Sequence, residues 1–188
     1  MTRECHVRFC ESAEVRSLSA THLVICCRPG NGSVALATMR QLMTRLGLAV
    51  NEAKTRLVRL PEESFDFLGY TIGRSYGRDG VPYIGTRPSR KAVRRLLQRV
   101  HDATTPYEHA ERPELRVAAI SRLLRGWAEY FNQGPVLPTY KLIRWYVQRR
   151  LQPLVGSTHR QYPDEYLYET LGLYALPRRR ADLPSAKA

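Results

Sequence analysis

Cationic side chains recur along this sequence at spacings that a helix would gather. Arg90, Lys91, Arg94, Arg95 and Arg99 crowd into ten residues, and Arg144, Arg149 and Arg150 form a second set. Arg125 lies between the sets, with Tyr130 close behind it. A guanidinium fork grips phosphate oxygens in pairs and stacks on planar rings, and an aromatic side chain can stack on a base. The chemistry on offer is recognition of a polyanion rather than bond making. Metal chemistry has weaker support. The four cysteines, Cys5, Cys10, Cys26 and Cys27, include no CxxC pair, and His6, His101, His109 and His159 show no ligand spacing. In a reducing compartment the cysteines are expected to be free thiols, with Cys26 and Cys27 acting as small apolar residues.

The whole chain carries the same bias. Thirty Lys and Arg face seventeen Asp and Glu, a net charge of +13. Residues 87–160 hold fifteen of those cations against five acids. Such an excess points to nucleic acid or an anionic membrane surface. No run of eighteen apolar residues exists, and residues 1–20 lack the apolar centre of a secretion leader. The expectation is a cytoplasmic protein with no membrane partner. An apolar content of 43% over 188 residues allows one sizeable domain or two small ones.

The elements that must position these cations follow from periodicity. Residues 1–18 show no clear period and are expected to be a weakly ordered segment. Leu23–Cys27 reads as a buried strand, and Arg28–Gly32 as a turn. Ser33 is expected to cap a helix with Leu36, Met39, Leu42, Met43 and Leu46 on one side, stopped by Gly47. Leu48–Leu60 is extended, Phe65–Ile72 alternates as one half-buried strand, and Asp79-Gly80 turns into a return strand from Val81 to Ile84. Past Pro88 helix formers take over. Ser89 caps a helix whose stripe is Val93, Leu96, Leu97 and Val100. Pro113 opens a second helix, with Ile120, Leu123, Leu124, Trp127 and Phe131 inward. A third follows Pro138, with Tyr140, Ile143, Val147, Leu151 and Leu154 on one side. A short fourth spans Asp164–Leu171, closed by Gly172, and the basic stretch 177–188 is expected to be disordered. The fold class is α+β: a small sheet over residues 19–86, then a helical bundle over 87–176.

Several blocks resemble one family. Arg125-Gly126-Trp127-Ala128-Glu129-Tyr130-Phe131 resembles the GW..YF segment of the maturase-specific domain of group II intron reverse transcriptases. Gly47–Thr55 is similar to the GL.LN..KT motif of the reverse transcriptase palm, and Phe67-Leu68-Gly69-Tyr70 to the FLGY segment after it. Pro88-Ser89-Arg90-Lys91 resembles the entry to the thumb helix, and Tyr166–Leu173 the end of the maturase region. The blocks occur in family order over roughly residues 20–176.

The resemblance implies an RNA-binding maturase fragment of a mobile intron: the end of a palm, a thumb and a maturase domain. Intron RNA is the implied partner, DNA a further candidate, and aid to splicing the implied role. The residues whose charge and rings make them the candidate RNA contacts are Arg90, Lys91, Arg94, Arg95, Arg99, Arg125, Tyr130, Arg144, Arg149 and Arg150. Asn51 and Lys54 correspond to a template-primer contact, vestigial without the rest of a palm. Trp127 and Phe131 read as core, while Trp145 lies off the main stripe of its helix and can be packing or a stacking platform. Intact members carry Tyr-Ala-Asp-Asp before the strand at Leu23, and here those positions read Ser19-Ala20-Thr21-His22. Polymerisation uses Mg²⁺ held by carboxylates, and a hydroxyl and an imidazole do not replace them. No catalytic or metal-binding residue is assigned, no cofactor is expected, and the isolated chain is expected not to polymerise. The alternatives are one part of a split polymerase, completed by another chain that supplies the carboxylates, or a relic without function.

Overall fold

In the computed structural model, residues 6–10, 22–77, 79–105, 113–152 and 165–182 are described. The chain divides into two compact units, residues 1–86 and 87–188, each taken here by itself.

The first unit is built from two three-stranded sheets and one helix. Strand β1 (His6–Cys10) lies between β2 (His22–Cys26) and β3 (Arg56–Val58), antiparallel to both. The expectation of a weakly ordered segment over 1–18 is corrected for these five residues. Residues 1–5 and 11–18 lie outside the described part. Lone pairing potential explains the miss: β2 and β3 run parallel, joined through a helix, and each needs a backbone partner that sequence periodicity does not reveal. That helix, α1 (Gly32–Arg45), buries Met39 against Leu23, Ile25, Leu36, Met43 and Val50. Its N-cap is Asn31, whose side chain makes no capping bond, and Ser33 sits inside the first turn. Its end follows the reading closely. Gly47 has φ +70°, Leu48 N–H donates to Met43 O at 2.9 Å, and Gly47 N–H donates to Thr44 O at 3.1 Å, the bonds of a Schellman cap. Arg40 donates to both carboxylate oxygens of Glu52, at 2.9 and 2.6 Å. That hydrogen bonding raises the Arg40 pKa and lowers that of Glu52. Both groups are exposed, so solvent screens the pair and its worth is small.

The second sheet corrects another expectation. Phe65–Ile72 is not one strand. β4 (Phe65–Phe67) turns through Leu68 and Gly69 into β5 (Tyr70–Tyr76), with Phe67 opposite Tyr70. Both turn residues have positive φ, 47° and 79°, as a two-residue type I′ hairpin requires. Gly69 meets that requirement freely, whereas Leu68 meets it against its own Cβ. β6 (Pro82–Pro88) lies beside β5, after a turn in which Gly77 N–H bonds Val81 O at 2.9 Å. Val58, Leu60 and Phe65 are buried together, with Val24, Phe67 and Ile72 packed against them.

The second unit packs α2 (Arg90–Thr104), α3 (Pro113–Tyr130) and α4 (Leu137–Leu151) around a single apolar core. Ser89 caps α2, accepting from Ala92 N–H at 3.1 Å. The α3 stripe is shifted from the expected one, with Val117, Ile120, Leu124 and Ala128 buried and Leu123 and Trp127 half-buried. Tyr140 is fully buried, and its hydroxyl reaches Phe131 O at 2.7 Å and Ala128 O at 3.1 Å. A side chain of α4 thus satisfies carbonyls at the end of α3, which have no partner within their own helix. The expected fourth helix is one turn of π-helix, Tyr166–Thr170, ended by Gly172 at φ +68°; Leu154 and Asp164 lie outside the described residues. The buried Ser121 ties the following segment to α3, donating to Gly172 O at 3.2 Å and accepting from Tyr174 N–H at 3.0 Å. The expectation of disorder from 177 is corrected in part. Pro177 is buried and Arg180–Asp182 forms a 3-10 turn, because Leu173 and Leu176 anchor the approach in the core. Residues 183–188 lie outside the described part. The architecture is α+β, and among the described residues no helix is long and apolar enough to cross a membrane.

Candidate nucleic-acid interface

The interface is built first from α2. Leu96, Val100 and Thr104 are buried, and Ala92, Val93 and Leu97 are half-buried on the same side. Turning about 100° per residue, the helix must then project Arg90, Lys91, Arg94, Arg95 and Arg99 over roughly the opposite half of its circumference. All five are exposed. None has an ion-pair partner among the described residues, where Arg40–Glu52 is the pair that forms. The one acid of α2, Asp102, accepts from Gln98 at 2.8 Å. The result is a dense strip of unneutralised positive charge on a rigid, capped rod.

The α4 arginines do not form the second strip that their proximity in sequence suggested. A step of one residue on a helix turns the side chain well away from its neighbour. Arg149 is exposed and lies over the Trp145 ring, 5.7 Å from its centroid. Trp145 is itself 56% exposed, which settles its alternatives towards the surface. Arg150 turns the other way. Its Nε donates to Thr104 Oγ at 2.8 Å and its terminal nitrogen approaches His101 O at 3.4 Å. It binds the end of α2 and is only partly free to meet a ligand. Arg144 is half-buried, and its Nε is enclosed with no acceptor among the described residues.

Arg125 is exposed on α3 and lies 5.4 Å from the Tyr174 ring centroid. Tyr130 is exposed and packs edge-on against Phe131. Phe131 is buried, and Trp127 packs against both Phe131 and Tyr140 with its ring nitrogen enclosed and unpartnered among the described residues. The aromatic part of the GW..YF block is therefore largely structural.

Asn51 and Lys54 belong to the other unit. Asn51 Oδ1 accepts from Lys54 N–H at 3.2 Å, capping the 3-10 turn Glu52–Lys54, and the Lys54 side chain is exposed. That motif has a sufficient local explanation in the turn it closes. The donor set at Ser19–His22 does not suit Mg²⁺, since it contains no carboxylate. Residues 19–21 lie outside the described part, and among the described residues no group of three His, Cys, Asp or Glu side chains could hold a metal.

Sequence reasoning passed over Tyr168, Tyr174, Arg178 and Arg179, which line a cavity with Arg144. Tyr168 reads as part of a family block, Tyr174 falls one residue beyond it, and the arginines read as part of a tail. The triple Arg178-Arg179-Arg180 beside two buried leucines was the signal available.

No curated protein is similar enough to match the chain. Residues 93–168 match the family model described as Group II intron, maturase-specific domain. The match begins within α2 and ends in the π-helical turn, and it is consistent with a group II intron maturase fragment.

Proposed function

We propose that the chain is an RNA-binding maturase fragment that grips group II intron RNA and assists its splicing, without polymerising DNA. The observation that carries the reading is the strip of five exposed, unpaired cations on α2, in a helical unit whose residues 93–168 match a maturase-specific domain. Phosphate contacts of this kind release counterions and supply affinity. A-form RNA is recognised chiefly through its shape, phosphates and 2′-hydroxyls, which a rigid cationic helix suits. The exposed Trp145 with Arg149 over its ring adds a surface on which an unpaired base can stack. The loss of polymerase chemistry rests on Thr21 and His22 standing where the family resemblance puts two carboxylates.

The test is a filter-binding titration of the purified chain against a group II intron RNA and an unrelated RNA of equal length, over a salt series. Tighter binding to the intron RNA, persisting at physiological salt, is the expected result. Equal binding that collapses as salt rises would reduce the protein to a non-specific polycation and overturn the splicing role.

A further inference from the structure

Behind α4 lies a cavity of about 500 Å³, framed by the turn that holds Tyr168 and by the segment Leu173–Asp182. That size falls among pockets that take small ligands, on the order of 300–1,000 Å³. Its lining brings together Arg144, Arg178 and Arg179 with the rings of Tyr168 and Tyr174. Asp182 is the acid on the lining, and its carboxylate accepts the Arg179 backbone N–H at 3.1 Å. Arg144 supplies the second observation. Its Nε–H is enclosed by protein and has no acceptor among the described residues. Enclosed, that N–H does not itself meet a ligand, and what Arg144 lends the lining is its positive charge. The two tyrosines pack against the main core, Ser121 fixes the backbone of Tyr174, and Arg125 lies over the Tyr174 ring. The aromatic surfaces are therefore held in place before any ligand arrives.

We infer that this cavity receives a single unstacked nucleotide of a bound RNA, its phosphate held by Arg144, Arg178 and Arg179 and its base set against the tyrosine rings. The inference rests on the RNA-binding reading for the source of the nucleotide, but the cavity's chemistry can be measured without it. Cations alone would take inorganic phosphate, and aromatic rings alone would take any apolar ligand. The combination selects a planar base carrying a phosphate.

Equilibrium dialysis of the full chain against AMP and against inorganic phosphate, with Arg178→Ala/Arg179→Ala as the variant, tests this. These two side chains are exposed, so the variant should fold. AMP should bind more tightly than phosphate, and the variant should bind AMP about tenfold more weakly, as loss of charge-assisted hydrogen bonds implies. Arg59→Ala/Arg74→Ala removes the same charge from exposed positions elsewhere and should leave AMP binding unchanged. No AMP binding, or equal weakening in both double variants, would overturn the site. A short oligoribonucleotide should displace AMP. If AMP binds but the oligomer does not compete, the ligand is a free nucleotide and the RNA assignment falls. Intron RNA binding measured on the same preparations separates the two readings: AMP binding without RNA binding defeats only the proposed function, and the reverse defeats only the cavity.

Discussion

Gly126 sits inside α3, where glycine costs about 0.5–1 kcal/mol against alanine. It is exposed, and a Cβ built there meets nothing within 4 Å. The fold gives no reason for glycine at this position. Gly126→Ala should therefore raise the thermal midpoint of the helical unit by about 4–8 °C per kcal/mol gained, readable by circular dichroism. A fall in the midpoint would show crowding that the structure lacks. Tyr140 presents the opposite case. Tyr140→Phe keeps the buried ring but removes the hydroxyl from the carbonyls of Phe131 and Ala128. The expected cost is about 1–2 kcal/mol in urea unfolding, and an unchanged stability would mean those carbonyls find other donors. The inward position of Tyr140 was legible from its spacing with Ile143 and Val147. The target of its hydroxyl was not, because it depends on where the end of a different helix lies. Phe131 was legible as core for the same periodic reason, while Trp127 is half-buried and packs against the core.

Helices were read more accurately than strands, and the physical cause is visible in particular elements. α2 carries its own evidence: a serine cap, an apolar stripe and a cationic back all lie within one stretch of chain. The β4–β5 hairpin does not. Its turn places Leu68 at positive φ, a conformation that local preference argues against, so the segment read as continuous strand. β1 depends wholly on partners distant in sequence. The α4 arginines show a further limit. Periodicity assigned them to the non-core side but could not say that Arg150 would reach the end of α2 or that Arg144 would enter a cavity. The α2 strip makes its own prediction. Arg94→Ala/Arg95→Ala/Arg99→Ala leaves the buried Leu96 and Val100 untouched and should fold. If the three cations meet phosphates, the slope of log affinity against log salt for RNA should shrink by about 2–3. An unchanged slope would move the interface away from α2.

Among the described residues, the two units differ in the buried core that each holds. Among these described residues, fourteen buried ones form one cluster in the helical unit, whereas the sheet unit buries Met39 in one group and Val58, Leu60 and Phe65 in another. The sheet unit also exposes Val34, Leu46, Leu68, Tyr76 and Val81 by more than half. Hydrophobic burial is the main term opposing chain entropy, so the units should not share one unfolding transition. The chain has two tryptophans, Trp127 and Trp145, and both lie in the helical unit. Their fluorescence therefore reports that unit alone, while far-ultraviolet circular dichroism reports both. In urea, the dichroism signal should begin to fall at a concentration where tryptophan fluorescence is still native, and its midpoint should be lower. Coincident curves would show a single cooperative unit, with the sheet drawing its stability from the helices. The distinction bears on function, because a helical unit that outlasts the sheet would keep the cationic strip of α2 and its capping by Arg150 intact on its own. Adding a group II intron RNA should then raise the fluorescence midpoint and leave the earlier dichroism loss in place, since a ligand stabilises the part of the molecule that it binds. A shift of both transitions by the same amount would instead place part of the RNA contact on residues 1–86.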